Sequence, residues 1–239
     1  MIKAIRRFLG SVWKGFCYTL GVLFIALLLY QGWFAVHIWY WVDHNPESTS
    51  FMRARLEHMR EKNPKAKLHQ RWTSYARISD QLKRAVIVAE DAKFSEHDGF
   101  DWEGIQKAME RNQRRGRVVA GGSTISQQLA KNLFLSGERN LRRKAEEAVI
   151  TSMLELLMDK ERILEIYLNV AEWGEGVFGA EAAARHYYNV SAGALNAEQA
   201  AHLAAMLPRP LYYERHRDSG FLQRYSAIIR ARMPSAQLP

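Results

Sequence analysis

Gly121-Gly122-Ser123-Thr124-Ile125-Ser126-Gln127-Gln128-Leu129-Ala130-Lys131-Asn132 runs two glycines into a hydroxyl pair, then into a segment with two amides and a lysine. Glycine opens backbone angles closed to other residues, so consecutive N–H groups can converge on one point. Thr124 followed three residues later by Gln127 has capping-box spacing and predicts a helix start. At 3.6 residues per turn, Thr124, Gln128 and Lys131 fall on one side, and Ile125, Leu129 and Leu133 on the other. One face suits burial, and the other offers donors and a cation to a ligand. The positive end of such a helix attracts anions, phosphates above all. The plain alternative is an ordinary capped amphipathic helix, against which the adjacent glutamines and the lysine weigh. The Gly-Lys-Ser/Thr ending of a P-loop is missing.

Helical spacing continues in both directions. Residues 51–62 read as an amphipathic run broken at Asn63-Pro64. Ser79 opens a helix with Leu82, Ala85, Val86 and Ala89 on its buried face. Residues 141–158 and 160–169 carry Leu, Ile, Val and Met at helical intervals. Gly174, Gly176 and Gly179 mark a turn before an alanine-rich helix over 180–188. A further helix over 198–207 is stopped by Pro208 and Pro210, and a last one spans about 219–233. Strand-like alternation is almost absent, so the predicted fold class is all-α.

The N-terminus is of another kind. From Gly15 to Val42 there is no Asp, Glu, Lys or Arg, and the centre reads Leu20-Gly21-Val22-Leu23-Phe24-Ile25-Ala26-Leu27-Leu28-Leu29. About 20 apolar residues cross a bilayer core. Trp13, Phe16 and Tyr18 stand before this segment and Trp33, Trp39, Tyr40 and Trp41 after it, an interfacial aromatic belt. Lys3, Arg6, Arg7 and Lys14 precede it, whereas the next Lys or Arg is Arg53, which orients the N-terminus toward the cytoplasm. A cleaved signal peptide would have a shorter apolar core and a small-residue cleavage site, which the aromatics at 39–41 do not provide. The expected organisation is a cytoplasmic segment 1–15, a membrane helix 16–41, a linker with a membrane-proximal helix 42–70, and a globular domain 71–239.

The chain has 239 residues and a formal net charge of +9, room for one well-buried domain plus an appendage. Its single cysteine, Cys17, excludes an internal disulfide and a cysteine-built zinc site. A basic chain suits nucleic acid, anionic lipid or a phosphorylated substrate. Outside the cytoplasmic membrane the nucleic acid drops out. The basic residues cluster at Arg111, Arg114, Arg115 and Arg117, then at Arg139, Arg142, Arg143 and Lys144, on either side of the helix start at Thr124. Each cluster is either a solvated face or an anion-binding one.

Acids supply the remaining chemistry. Glu90-Asp91 closes the helix opened by Ser79, with Phe94, His97 and Gly99 close behind. A glutamate at a helix end in a cleft can serve as general base once its pKa is tuned; the alternative is a solvated helix terminus. Arg143 and Glu147 share a face one turn apart, either as a surface ion pair worth under about 1 kcal/mol or as a phosphate ligand beside a second cleft acid. His97 reads as a structural hydrogen-bonder or a catalytic group.

Taken together, these residues resemble the bacterial peptidoglycan glycosyltransferase family. The blocks are Glu90-Asp91-x-x-Phe94-x-x-His97-x-Gly99, then 121–132, then Arg143-Lys144-x-x-Glu147. They continue through Ile163-Leu164-Glu165-x-Tyr167-Leu168-Asn169, Gly174-x-Gly176-x-x-Gly179 and Ala183-Ala184-x-x-Tyr187-Tyr188. Order and spacing follow the family over roughly 72–210; the last block ends Tyr-Tyr where the family has Tyr-Phe. Bifunctional members carry a penicillin-binding transpeptidase domain as well. Lys-Thr-Gly does not occur here, and the one Ser-x-x-Lys, Ser11 to Lys14, lies ahead of the anchor, so transpeptidase activity is not expected. The resemblance is to the monofunctional biosynthetic form.

That resemblance implies a lysozyme-like helical fold and polymerisation of lipid II, with Glu90 as base and Glu147 as a second acid that orients cations or coordinates a divalent ion. It implies Lys131, Arg143 and Lys144 at the pyrophosphate, and Gly122, Ser123, Thr124, Gln127, Gln128 and Asn132 positioning sugar and phosphate. Asp91, Phe94, His97, Gly99, Glu165, Tyr167 and Asn169 become supporting residues. Residues 111–120 are expected as a mobile basic flap, and Leu133-Phe134-Leu135 as a lipid-dipping segment. No covalently bound cofactor is expected, Mg or Mn being possible at the pyrophosphate. Expected partners are lipid II, the growing lipid-linked strand, the membrane, and division or elongation proteins, with no nucleic acid. A lysozyme-like lytic transglycosylase or hydrolase is the competing function.

The charge asymmetry around the anchor makes a direct prediction. A reporter fused after Pro239 should be active only outside the cytoplasm, as read by paired fusions to an extracytoplasmic phosphatase and a cytoplasm-restricted fluorophore. Fluorescence from the latter would overturn the orientation.

Overall fold

The computed structural model describes residues 2–117, 121–135 and 140–239. They form two units, Met1–Asp43 and His44–Pro239. The first is one helix, α1 (Ile2–Asp43). Its stretch Leu9–Asp43 has a mean hydropathy of 1.9 and is long and apolar enough to cross a membrane. Leu20, Val22, Leu23, Phe24, Ile25 and Leu29 all face outward. A helix apolar all round needs an apolar surrounding, which a bilayer supplies.

The second unit runs α2 (Ser50–Lys62), β1 (His69–Gln70), α3 (Asp80–Glu90), α4 (Trp102–Arg115), α5 (Ile125–Phe134), α6 (Leu141–Leu157) and α7 (Lys160–Val170). It continues β2 (Glu172–Gly174), β3 (Val177–Phe178), α8 (Ala180–Tyr188), α9 (Ala197–Met206), α10 (Pro210–Arg215) and α11 (Gly220–Arg232). Short polar side chains set the helix starts. Thr49, Ser79, Asp101, Thr124, Asn140, Asp159, Asn196 and Ser219 each accept a hydrogen bond from a first-turn amide. Such a cap is worth about 1 kcal/mol, and it satisfies a donor the helix itself cannot.

Packing follows the apolar faces. α3 lies against α9 and α11, with Leu82, Ala85, Val86, Leu203, Ala204, Leu222 and Ile229 buried. α5 packs on α2, α6 and α7 and buries Ile125, Leu129 and Leu133, the face its spacing predicted. Burying one Leu, Ile or Val side chain contributes about 1.5–3 kcal/mol.

Several features differ from the sequence expectation. The fold is predominantly helical, yet β1, β3 and β2 form a small sheet in that order, with β1–β3 parallel and β2–β3 antiparallel. Two- and three-residue strands are too short to show alternation. Residues 111–115 belong to the last turns of α4, closed by Gly116 in a left-handed conformation; they are helix, where a flap was expected. Residues 118–120 of that expected flap, like Arg139 of the second basic cluster, lie outside the described residues. Pro210 starts α10 instead of only ending α9, because proline is tolerated in a first helical turn. The helix expected over 51–62 is present as α2, and it packs on α5. Leu133 and Leu135 are buried within the protein, leaving only Phe134 part-exposed, so this segment does not present three side chains to lipid.

Asn169 and Gly179 close the sheet onto α7. Asn169 accepts from Thr73 N at 2.8 Å and donates to Thr73 O at 2.9 Å. Gly179 has φ +86°, and a Cβ there would lie 2.7 Å from Asn169 O. Gly179→Ala is therefore expected to lose more than about 2 kcal/mol of stability, measured by urea unfolding. A loss under about 0.5 kcal/mol would show that the backbone gives way freely.

Candidate active site

The site is built where α3 ends and α5 begins. Asp91, just past α3, is buried at 6% exposure. Its Oδ2 accepts the first amide of α5, Ile125 N, at 3.1 Å, and its Oδ1 meets His97 Nε2 at 2.9 Å. Gly99 N donates to His97 Nδ1 at 3.2 Å, which makes Nδ1 the acceptor and leaves Nε2 to donate to Asp91. Thr124 Oγ1 donates to Gly99 O at 2.7 Å. The anion held at the start of α5 is thus a side chain of the protein itself. Thr124 and Gln127 hold each other in a reciprocal capping box, which gives both a structural role at the start of α5. Neither Gly121 nor Gly122 takes a positive φ. Gly122 is small for a different reason: a Cβ would come within 3.1 Å of Ile105 Cα on α4.

Asp91 fixes the direction of the preceding Glu90, which is half-buried. Gln128 Nε2 donates to Glu90 Oε2 at 2.7 Å, and Gln128 Oε1 accepts from Tyr167 OH at 3.1 Å. A carboxylate only accepts, which assigns the amide orientation. Burial pushes the Glu90 carboxyl above the usual carboxylate range; the Gln128 hydrogen bond and Lys131 pull it down, and Asp91 pushes it up. Burial, then the charges of Glu90 and Asp91, hold the Tyr167 hydroxyl well above its ordinary value. Tyr167 therefore remains a donor and keeps Gln128 aimed at Glu90.

Two cavities flank this chain of contacts. One, about 190 Å³, is lined by Glu90, Asp91, Asp101, Arg111 and 121–124. The other, about 500 Å³, is lined by Gln128, Lys131, Asn132, Tyr167, Arg55, Glu172, Arg209 and Tyr212 among others. Gln128 touches both, because it lines the second and bonds Glu90 in the first.

Arg143, Lys144 and Glu147 form a separate cluster on α6 and line neither cavity. Glu147 is 3% exposed and pairs with Arg143 at 3.3 Å and Lys144 at 2.5 Å. The lower half of α6 supports the site: Thr151 Oγ1 donates to Glu147 O, and a Cβ on Gly99 would meet Thr151 Cγ2 at 2.8 Å. Phe94 is fully buried with Lys160 Nζ 4.7 Å from its ring centre. Glu165 accepts from Trp72 Nε1 at 3.0 Å and pairs with Arg162 at 3.1 Å. Ser123 is exposed at the mouth of the smaller cavity.

Sequence reasoning did not single out Arg55, Glu172, Arg209 and Tyr212 of the larger cavity, or Asp101 of the smaller, whereas Arg111 of the smaller belongs to the first basic cluster. Glu172 carried a usable hint, an acid inside an otherwise apolar run between Asn169 and Gly174. Arg55 carried none, since it is one cation among several on α2. Among the described residues, no group of three or more His, Cys, Asp or Glu side chains could hold a metal ion.

Comparison with known proteins agrees with this architecture. Residues 57–234 match a family model described as Transglycosylase. The chain is 61% identical to a biosynthetic peptidoglycan transglycosylase of Dechloromonas aromatica, over 100% of both proteins. It is 60% identical to the protein of that name from Methylobacillus flagellatus, over 95% of this chain and 97% of that one. For the one from Janthinobacterium sp. (strain Marseille) the identity is 60%, covering 90% and 93%.

The electrostatics give a test independent of turnover. The Gln128 hydrogen bond favours the ionised form of Glu90. In Gln128→Leu the Glu90 carboxyl should titrate at still higher pH than in the parent, where it already lies above the ordinary range. Carboxyl-carbon NMR titration of labelled glutamate measures this; a shift to lower pH would refute the assigned contact.

Proposed function

Because the chain belongs to the transglycosylase family and is a peptidoglycan glycosyltransferase, we propose that it polymerises lipid II, with Glu90 as general base. In this reading the acceptor is a lipid II molecule and the donor is the growing strand on its own lipid pyrophosphate. Glu90 takes the proton of the acceptor GlcNAc 4-hydroxyl as that oxygen attacks the donor's anomeric carbon. The bond from that carbon to the lipid pyrophosphate breaks with its electron pair, and inversion yields a β-1,4 linkage and undecaprenyl diphosphate.

The observation that carries this reading is the half-buried Glu90, raised by burial and held by Gln128 and Tyr167 beside Lys131. A base for a sugar hydroxyl needs a pKa brought toward the working pH. A departing pyrophosphate needs cations, and Lys131 supplies one in the larger cavity. Asp91 is a poorer base, since both its oxygens are engaged by Ile125 N and His97. Arg143, Lys144 and Glu147 form a pre-paired basic patch for a lipid-linked phosphate, Glu147 fixing the cations.

A protein-held divalent ion does not fit Glu147, which is buried against two cations with no group of three acidic or His ligands among the described residues. The proposed setting is the outer face of the bacterial cytoplasmic membrane, single-pass with the N-terminus inside. There α1 would confine the enzyme with its lipid substrate near division or elongation proteins, without transpeptidase activity.

With labelled lipid II the protein should yield glycan polymer, whereas a lytic enzyme would cleave finished glycan and make no polymer. Glu90→Gln keeps size and hydrogen bonding but cannot take the proton, so polymerisation should fall by about 10²–10⁴-fold with the fold intact. Near-parent turnover by this variant would remove Glu90 from the mechanism.

A further inference from the structure

Arg55 stands on α2, yet its guanidinium reaches the wall of the larger cavity that also holds Lys131 and Arg209. There it meets Glu172, buried at 6% exposure. Arg55 NH2 donates to Glu172 Oε2 at 2.8 Å. Its Nε lies 2.7 Å from Oε1, buried against the same carboxylate. NH1 makes no hydrogen bond among the described residues. Gly176 N also donates to Glu172 Oε1, at 3.4 Å. The Phe51 ring lies 5.6 Å from the guanidinium carbon, which further fixes the plane of the fork.

A structural ion pair has little reason to leave its cation with open donors at a cavity wall. Arginine's planar fork matches phosphate oxygens, and a fork held along one edge by a carboxylate presents the other at low entropic cost. We propose that Arg55 is a binding residue for the pyrophosphate of a lipid-linked substrate, and that Glu172 is its positioning residue. This rests on the lipid II reading above. Glu172 orients the guanidinium and offsets part of its charge by facing its Nε and NH2, which leaves the NH1 group to the substrate. The anchor-proximal helix α2 thereby contributes directly to the substrate cleft.

The test uses the full chain in detergent with lipid II. R55M/E172Q removes both charges at similar volume, an exchange that leaves stability of a buried pair near neutral. It should melt close to the parent while KM for lipid II rises at least about tenfold, with kcat changed less. A purely structural pair predicts parental KM once folding is restored, and that result would overturn the assignment. Should the double variant fail to fold, the parent protein decides: inorganic pyrophosphate should shift the Arg55 side-chain NMR resonance, and an unmoved resonance would also overturn it. Lipid II with a blocked 4-hydroxyl can act only as donor. If its affinity falls in R55M/E172Q the phosphate is the donor's, and if only the KM of unblocked lipid II changes it is the acceptor's. Absence of polymer from the parent protein would instead sink the lipid II reading.

Discussion

The contact between the Asp91 carboxylate and the first amide of α5 is the constraint on which the rest of the site depends. A carboxylate at a partly buried helix N-terminus contributes up to about 2 kcal/mol, and this one also ties down His97. Through His97 and Gly99 the same network reaches Thr124, whose hydroxyl bonds Gly99 O while its oxygen caps the helix. Two helices distant in the chain are thus locked end to start. Glu90, the last residue of α3, is carried to within hydrogen-bonding distance of Gln128, one turn into α5. Without that junction neither residue has a reason to meet the other.

Charge is distributed unevenly around this frame. Buried acids elsewhere are matched by cations: Glu147 with Arg143 and Lys144, Glu172 with Arg55, Glu155 with Lys160. A buried unpaired carboxylate costs several kcal/mol, and a paired, hydrogen-bonded one much less. Glu90 differs, because its direct hydrogen-bond partner is a neutral amide and Lys131 acts on it only through space. Its burial is therefore incompletely offset, and its carboxyl is displaced toward the range where proton transfer is useful. The acids that hold the fold differ from Glu90, the proposed base, in what faces them.

Local spacing was enough for most of the helices, the apolar N-terminal segment and the order of the chemistry-bearing blocks. Caps such as Thr124 and Ser79, and the Ile125–Leu129–Leu133 stripe, act within one or two turns, so local spacing reports them faithfully. The Glu90, Gln128, Lys131 and Tyr167 group could be named as separate motifs for the same reason. The helix α4 repeats Trp102, Ile105, Ala108 and Met109 at helical spacing behind an Asp101 cap, a local signal that the expectation of a flap over 111–120 passed over. The three-stranded sheet escaped notice because its strands are too short to alternate. Only the tertiary structure decided that the anion at the start of α5 is Asp91, and that Thr124 and Gln127 are engaged by their own cap. It alone set Arg143, Lys144 and Glu147 apart from the two cavities, and brought Arg55 to Glu172 across 117 residues. The physical reason is common to these cases. Periodicity and capping state which face a helix buries, whereas the partner of a buried charge is chosen by packing between elements far apart in the chain.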